Sequence, residues 1–178
     1  PLTDSRDAYP GKINLRGSAD AFAATFAGRE VVATLANNHC MDFREAGLHD
    51  TIAALDALGV PHCGAGTAAD GWRNPAVVTV RGTRVAVLAY ADPSCTPAYA
   101  EGDRPGAAPL VLEAAVADIA AARAAGADRV VVAANWGEEQ VDLPTSRCVA
   151  LARALVDAGA DAVVGHHAHC IQSYETYR

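Results

Sequence analysis

No two of the five cysteines (Cys40, Cys63, Cys95, Cys148 and Cys170) stand in a Cys-x-x-Cys pair, and their number is odd. That pattern excludes a disulfide framework, and the thiols read as small buried hydrophobes of a reducing compartment. Cys40 and Cys170 each follow a histidine, which leaves a thiol beside a site open. No apolar run approaches the roughly 20 residues needed to span a bilayer, and the chain carries no signal-peptide pattern. It opens on Pro1-Leu2-Thr3-Asp4 without a methionine and reads as a piece of something longer, so its location, cytoplasmic or membrane-associated, stays open. Basic clusters are also missing. With a net charge of -7 this argues against a nucleic-acid surface and would repel an anionic substrate unless a metal or local dipoles reverse the field. There is no internal repeat, low-complexity tract or linker.

What is present suits one domain over residues 1–178, with 51% hydrophobic and 20% charged residues. Ser18 reads as the N-cap of a helix over Ala19–Ala27, and Gly28 ends it. Val31–Leu35 reads as a buried strand. Leu48, Ile52, Leu55 and Leu58 repeat at helical spacing over Glu45–Leu58, stopped by Gly59. A short strand over Val60–Cys63 is closed by Gly64-Ala65-Gly66. Ala69–Asn74 suggests a helical turn. Ala76–Val80 and Arg84–Ala91 flank a Gly82-Thr83 hairpin signal. Residues 92–109, with Pro93, Pro97, Pro105 and Pro109, read as a long functional or mobile loop. Then follow a helix Leu112–Ala125, a strand Arg129–Ala134, a helix Ser146–Ala158 capped by Thr145, and a strand Asp161–Val164. Helices alternating with strands, with one hairpin inserted, predict an α/β fold with a largely parallel sheet.

Three expected strands end in polar clusters: Asn37-Asn38-His39, Asn135-Trp136-Gly137-Glu138-Glu139 and His166-His167-Ala168-His169; a fourth ends in Tyr90-Ala91-Asp92. The carboxyl ends of parallel strands share one edge, so these clusters are expected to converge in one crevice. His167 and His169, alternating in an extended segment, would face the same side and could grip a metal. Plainer readings stand beside this one. An Asn-Asn pair is often turn chemistry, Trp136 suits core packing, and Glu138 with Glu139 suits a solvated pair. His49 and His62 read as surface or structural histidines.

Taken in order, Leu35-Ala36-Asn37-Asn38-His39 with Asp42 and Gly47-Leu48, then Gly64-Ala65-Gly66, Trp136-Gly137-x-Glu139, Gly159-Ala160-Asp161 and Gly165-His166-His167-Ala168-His169 with Gln172 form a specific set. On these residues the chain resembles the CapA family of poly-γ-glutamate capsule biosynthesis, a branch of the calcineurin-like metallophosphoesterase superfamily. The resemblance implies a four-layer α/β/β/α sandwich with one or two divalent ions (Mn, Zn or Fe) at the strand ends. It implies Asn38, His167 and His169 as metal ligands, with Asn135 standing where the family has a ligand histidine. His39, with Asp42, takes the catalytic role, as general acid or as a stabiliser of the transition state. Asn37, Trp136, Glu139 and His166 complete the site. The family's acidic ligands, from a Gly-Asp strand end and an Asn-Leu-Glu segment, are expected before Pro1, so the N-terminal strand of the fold is expected to be missing from this chain.

Three functions follow from the resemblance. The first is a metal-dependent hydrolase, or a component of capsule-polymer synthesis acting on poly-γ-glutamate or a related small or peptide substrate. The second is a peptide-tailoring enzyme such as a metal-independent Cα epimerase, with His39, Asp42, His167 and His169 supplying acid and base. The third is a non-catalytic scaffold that meets other polymer-synthesis proteins.

Overall fold

The computed structural model describes residues 1–96 and 98–178; Pro97, one of the prolines of the expected long loop, lies outside the described residues. The elements run α1 (Ala19–Phe26), β1 (Ala33–Thr34), α2 (Arg44–Ala57), β2 (His62–Cys63), β3 (Ala65–Gly66), β4 (Ala76–Val80), β5 (Thr83–Ala91), β6 (Gly106–Ala107), α3 (Leu112–Ala124), β7 (Arg129–Asn135), α4 (Ser146–Asp157) and β8 (Ala162–His166). The main sheet has the order β4-β5-β7-β8, antiparallel at the β4–β5 hairpin and parallel from β5 onward. β1 pairs with β2 in parallel and β3 with β6 antiparallel, as two small separate sheets. The mixed α/β architecture and the largely parallel sheet agree with the reading of the sequence.

The local chemistry accounts for most of these elements. Arg81 and Gly82, both at positive φ (50° and 83°), are the two-residue turn that a right-twisted hairpin needs. β5 and β7 are near-continuous apolar runs because both lie inside the sheet. The Ser18 hydroxyl accepts from the Ala21 amide, and the Thr145 hydroxyl from the Cys148 amide, so the first turns of α1 and α4 are capped as expected. α3 turns Ala115, Ile119 and Ala122 inward, and α4 turns Cys148 and Leu155 inward, each at helical spacing. α3 packs on β5, β7 and α4, while α4 also packs on β8.

Two expectations are corrected. The first strand covers two residues rather than five: β1 reaches only as far as its two-residue partner β2, with the Leu35 amide making one more bond to the Cys63 carbonyl before the chain turns away. Residues 92–96 and 98–109 are mostly irregular, but the second half of the segment is tied into the fold. Gly106–Ala107 forms β6 against β3, and Tyr99, Glu101 and Ala91 make further bridges to Ala107, Arg104 and Pro109. Ala100, Ala107, Ala108 and Leu110 are buried there, so small apolar side chains tie the segment down where its prolines alone suggested freedom.

One glycine sets the distance between the small and large sheets. Gly64 has φ +93°, and a Cβ on it would lie 2.7 Å from the Ala89 side chain and 2.9 Å from that of Ala36. The bare backbone therefore lets Ala36, at the end of the first strand, close on β5, carrying residues 37–39 toward the main sheet's carboxyl edge.

Gly64→Ala meets both a strained φ and these two methyl groups, whereas Gly28→Ala, also at positive φ, meets open space. Urea unfolding is expected to show Gly64→Ala as the costlier change by about 1–3 kcal/mol. Ile119→Ala, which opens the core beneath α3, is expected to cost about 2–5 kcal/mol.

Candidate functional site

The register brings the strand ends together. Ala91, Asn135 and His166 are successive partners across β5, β7 and β8, so Asp92, Trp136 and His167 leave the sheet side by side. The Asp92 amide donates to the Asn135 carbonyl at 2.8 Å and the Trp136 amide to the His166 carbonyl at 3.1 Å. Gly165 permits the next layer: a Cβ there would stand 2.6 Å from the Trp136 indole nitrogen, so the ring lies over β8 only because that position is bare.

The opposite wall is the loop after β1. The Asn37 side-chain oxygen accepts the His39 amide at 2.9 Å, an Asx turn that reverses the chain. Asp42 then points back at the histidine, with its Oδ2 2.7 Å from His39 Nδ1. Asp42 is wholly buried, which by itself would raise its pKa. Three donors outweigh the burial and hold the carboxyl below its ordinary range: the Lys12 ammonium 2.6 Å from Oδ1, the Leu15 amide 2.6 Å from Oδ2, and His39. The ionised carboxylate can only accept, so His39 carries its proton on Nδ1 and keeps Nε2 free for chemistry. Lys12 also donates to the Asn38 carbonyl, tying the loop from both sides.

Between the walls stand the histidines after β8. His167 and His169 are not in an extended segment. β8 ends at His166, and both residues have positive φ (97° and 55°), an uncommon conformation for side chains of this size and one typical of functional turns. The turn nevertheless brings their rings to 6.3 Å between centroids, with Glu139 between them: its carboxylate oxygen is 3.8 Å from His167 Nε2 and 3.9 Å from His169 Nε2. Burial depresses the pKa of His166 and of His167. The His167 charge adds to the effect on His166; the charges of His169 and His39 add to that on His167, while Glu139 opposes them. The influence of His39 on His167 joins the two walls across one space.

Three buried polar atoms at this edge have no hydrogen-bond partner among the described residues: Asn135 Nδ2, His166 Nε2 and His167 Nδ1. Each such atom costs roughly 1–3 kcal/mol if nothing meets it, so together they mark a place prepared for a polar guest. Two imidazoles and a carboxylate are donors of the kind that suits Zn, Mn or Fe, and the expected ions fit this donor set chemically. The spacing is still that of ion pairs: among the described residues no three His, Cys, Asp or Glu side chains are drawn together as a coordination shell. His62 meets Asp56 at 3.1 Å and His49 is exposed, away from the cluster. Cys40 is not a nucleophile here, because burial pushes its thiol up to about 12.

Two cations of the site were not foreseen. Lys12, the one lysine of the chain, lies in an irregular stretch with no periodicity to flag it. Arg147 pairs with the buried Asp92 carboxylate, which the Ser94 amide and hydroxyl also hold, at 2.9 and 2.7 Å. Its signal was legible: a cation in the first turn of a helix opposes the helix dipole and calls for a local partner.

A family model described as bacterial capsule synthesis protein PGA_cap matches residues 1–178. The capsule biosynthesis protein CapA of Bacillus anthracis is 36% identical over 169 residues, covering 93% of this chain and 41% of the relative. The PGA biosynthesis protein CapA of Bacillus subtilis is 36% identical over 143 residues, covering 80% and 37%. A probable polyglutamine synthesis accessory protein of Mycobacterium tuberculosis is 36% identical over 170 residues, covering 89% and 44%. The chain thus spans about two fifths of the length of these relatives.

The charge states predict two acid steps in stability. His166 and His167 have folded pKa values below the unfolded value of about 6.5, so the unfolded chain binds more protons and stability falls as pH drops below that point. Asp42 and Asp92 are depressed carboxyls; their contribution is present above about pH 4 and is lost as pH falls through their folded values. Against burial, which is the largest influence on Asp92, its bonds to Ser94 and Arg147 win. Thermal melts from pH 8 to 3 are expected to show both steps, with the upper one reduced in His166→Asn.

Proposed function

The chain belongs to the bacterial capsule synthesis family, and from that premise we propose that its strand-end site hydrolyses an amide linkage of poly-γ-glutamate or a closely related glutamyl polymer. The observation that carries this reading is the His39–Asp42 pair, with a fully buried, ionised Asp42 fixing the tautomer of a half-exposed imidazole. His39 Nε2 takes a proton from a water as its oxygen bonds to the amide carbon, then returns the proton to the nitrogen as the C–N bond breaks. Asn135 Nδ2, a donor without an acceptor, suits the carbonyl oxygen as it gains charge. Burial lowers the pKa of His166 and of His167 and so favours their neutral imidazoles, the form that can ligate a metal or accept a hydrogen bond. His167, His169 and Glu139, with the Asn38 carboxamide, would hold a divalent ion, and such an ion would supply further polarisation of the carbonyl. In the same reading, the β1–β2 and β3–β6 pairs are parts of the second sheet of a four-layer α/β/β/α sandwich.

A second reading is an accessory role in a polymer-synthesis complex, favoured by the name of the mycobacterial relative, a probable polyglutamine synthesis accessory protein. One set of experiments separates the two. Incubation with poly-γ-glutamate, read as release of free amines, is expected to show cleavage that falls about 10²–10⁴-fold in His39→Ala, with its melt measured beside it to report folding separately. Dialysis against a chelator is expected to lower the rate, and Mn or Zn to restore it. If the wild-type protein releases no amines, and cells carrying His39→Ala with His169→Ala make capsule polymer normally, the hydrolase reading fails and the accessory one stands.

A further inference from the structure

A second pocket, lined by several charged and hydroxyl side chains, lies beside the strand-end site, between the turn after β5 and the first turn of α4. Its volume is about 620 Å³, and Asp92, Ser94, Glu138, Thr145 and Arg147 are among its lining residues. It borders the histidine site directly, because Glu138 lines it while the next residue, Glu139, stands between His167 and His169.

The pocket is built around one guanidinium. Asp92 is 1% exposed and fully engaged by the Ser94 amide and hydroxyl and by Arg147 Nη1. The Arg147 side chain lines the pocket and remains 59% exposed, so one nitrogen of its planar fork is held by a buried carboxylate and the other donors stay accessible. A fork held in this way is pre-organised for a second carboxylate, and less motion is lost when one binds. The amides of Ser146 and Arg147 open α4 and have no intrahelical acceptor, which adds donors of the same sign. The exposed carboxylate of Glu138 also lines the pocket and supplies the opposite charge. An arginine and a carboxylate that line one pocket match a group that carries both charges on one carbon.

We propose that this pocket binds the free α-amino-acid end of a glutamyl chain, its α-carboxylate on Arg147 and the α4 amides and its ammonium on Glu138, thereby placing the neighbouring γ-amide at the histidine site. The inference rests on the glutamyl reading of that site and adds to it a specificity pocket for chain ends. In a γ-linked chain the terminal residue alone bears both charges; interior residues keep the carboxylate but not the ammonium. The pocket therefore prefers ends over interior segments, and cleavage proceeds from the end.

The test is calorimetric binding of tri-γ-glutamate, free and N-acetylated, to the full chain. The wild-type protein is expected to bind the free form more tightly than the acetylated one. Arg147→Met is expected to weaken both by about 10- to 100-fold, the usual worth of a charge-assisted hydrogen bond. Arg147→Lys, which keeps the charge without the fork, is expected to fall between. Glu138→Gln is expected to abolish the preference for the free amine and spare the acetylated form. Because Arg147→Met strands a buried carboxylate, Asp92→Asn with Arg147→Met is measured beside it, and its melt reports folding separately. Binding unchanged in both Arg147→Met proteins, with His39→Ala still abolishing cleavage, overturns the pocket and leaves the hydrolase reading intact. Absence of any binding of either peptide by a wild-type protein that cleaves the polymer also overturns the pocket, since ends are then not recognised. Absence of both binding and cleavage overturns the two together.

Discussion

A carboxylate with no surface in water is stable only where donors surround it, and Asp42 organises its side of the molecule for that reason. Its oxygens collect Lys12, the Leu15 amide and His39, while its own carbonyl accepts the Tyr9 amide. The residues before α1 have almost no regular structure of their own. Residues 9–15 reach Asp42 through Tyr9, Lys12 and Leu15 and wall one side of the site, while Leu2, Thr3 and Asp7 are anchored on Thr51, Asp50 and Arg44. Removing Asp42 would free Lys12, the Leu15 amide and the His39 imidazole together, because one carboxylate is their common partner.

The other side of the site follows from sheet geometry. Parallel register carries Asp92, Trp136 and His167 off neighbouring strands at one edge, and Gly165 leaves room for the indole. The two sides repeat a single device: a buried aspartate at a strand or loop end, satisfied by backbone and side-chain donors, holds a basic group toward the open space. Asp42 aims His39, and Asp92 aims Arg147. An acidic chain with a net charge of -7 thereby presents local donors where an anionic polymer would approach.

Much of this was legible before any coordinates. Strand ends rich in Asn, His and Glu converge because parallel strands share an edge, and caps at Ser18 and Thr145 start helices where expected. The misses have physical causes. Residues 92–109 looked loose from their prolines, but alanines too small to give a periodic signal bury the segment's second half. His167 and His169 looked extended from their alternation, yet they adopt positive φ, and the energy for that comes from their surroundings. Lys12 carries no local pattern, since its role depends on a partner thirty residues away. Arg147 broke a local rule of helix electrostatics, and such breaks are where sequence reasoning has most to offer about sites.

The proposed chemistry depends most on Asp42 fixing His39 with its proton on Nδ1. Proton and nitrogen NMR of the ¹⁵N-histidine-labelled protein above pH 7.5 measures this directly. A far-downfield His39 Nδ1–H resonance that disappears in Asp42→Asn is the predicted result. A His39 protonated on Nε2 in the wild-type protein, unaffected by Asp42→Asn, would contradict it.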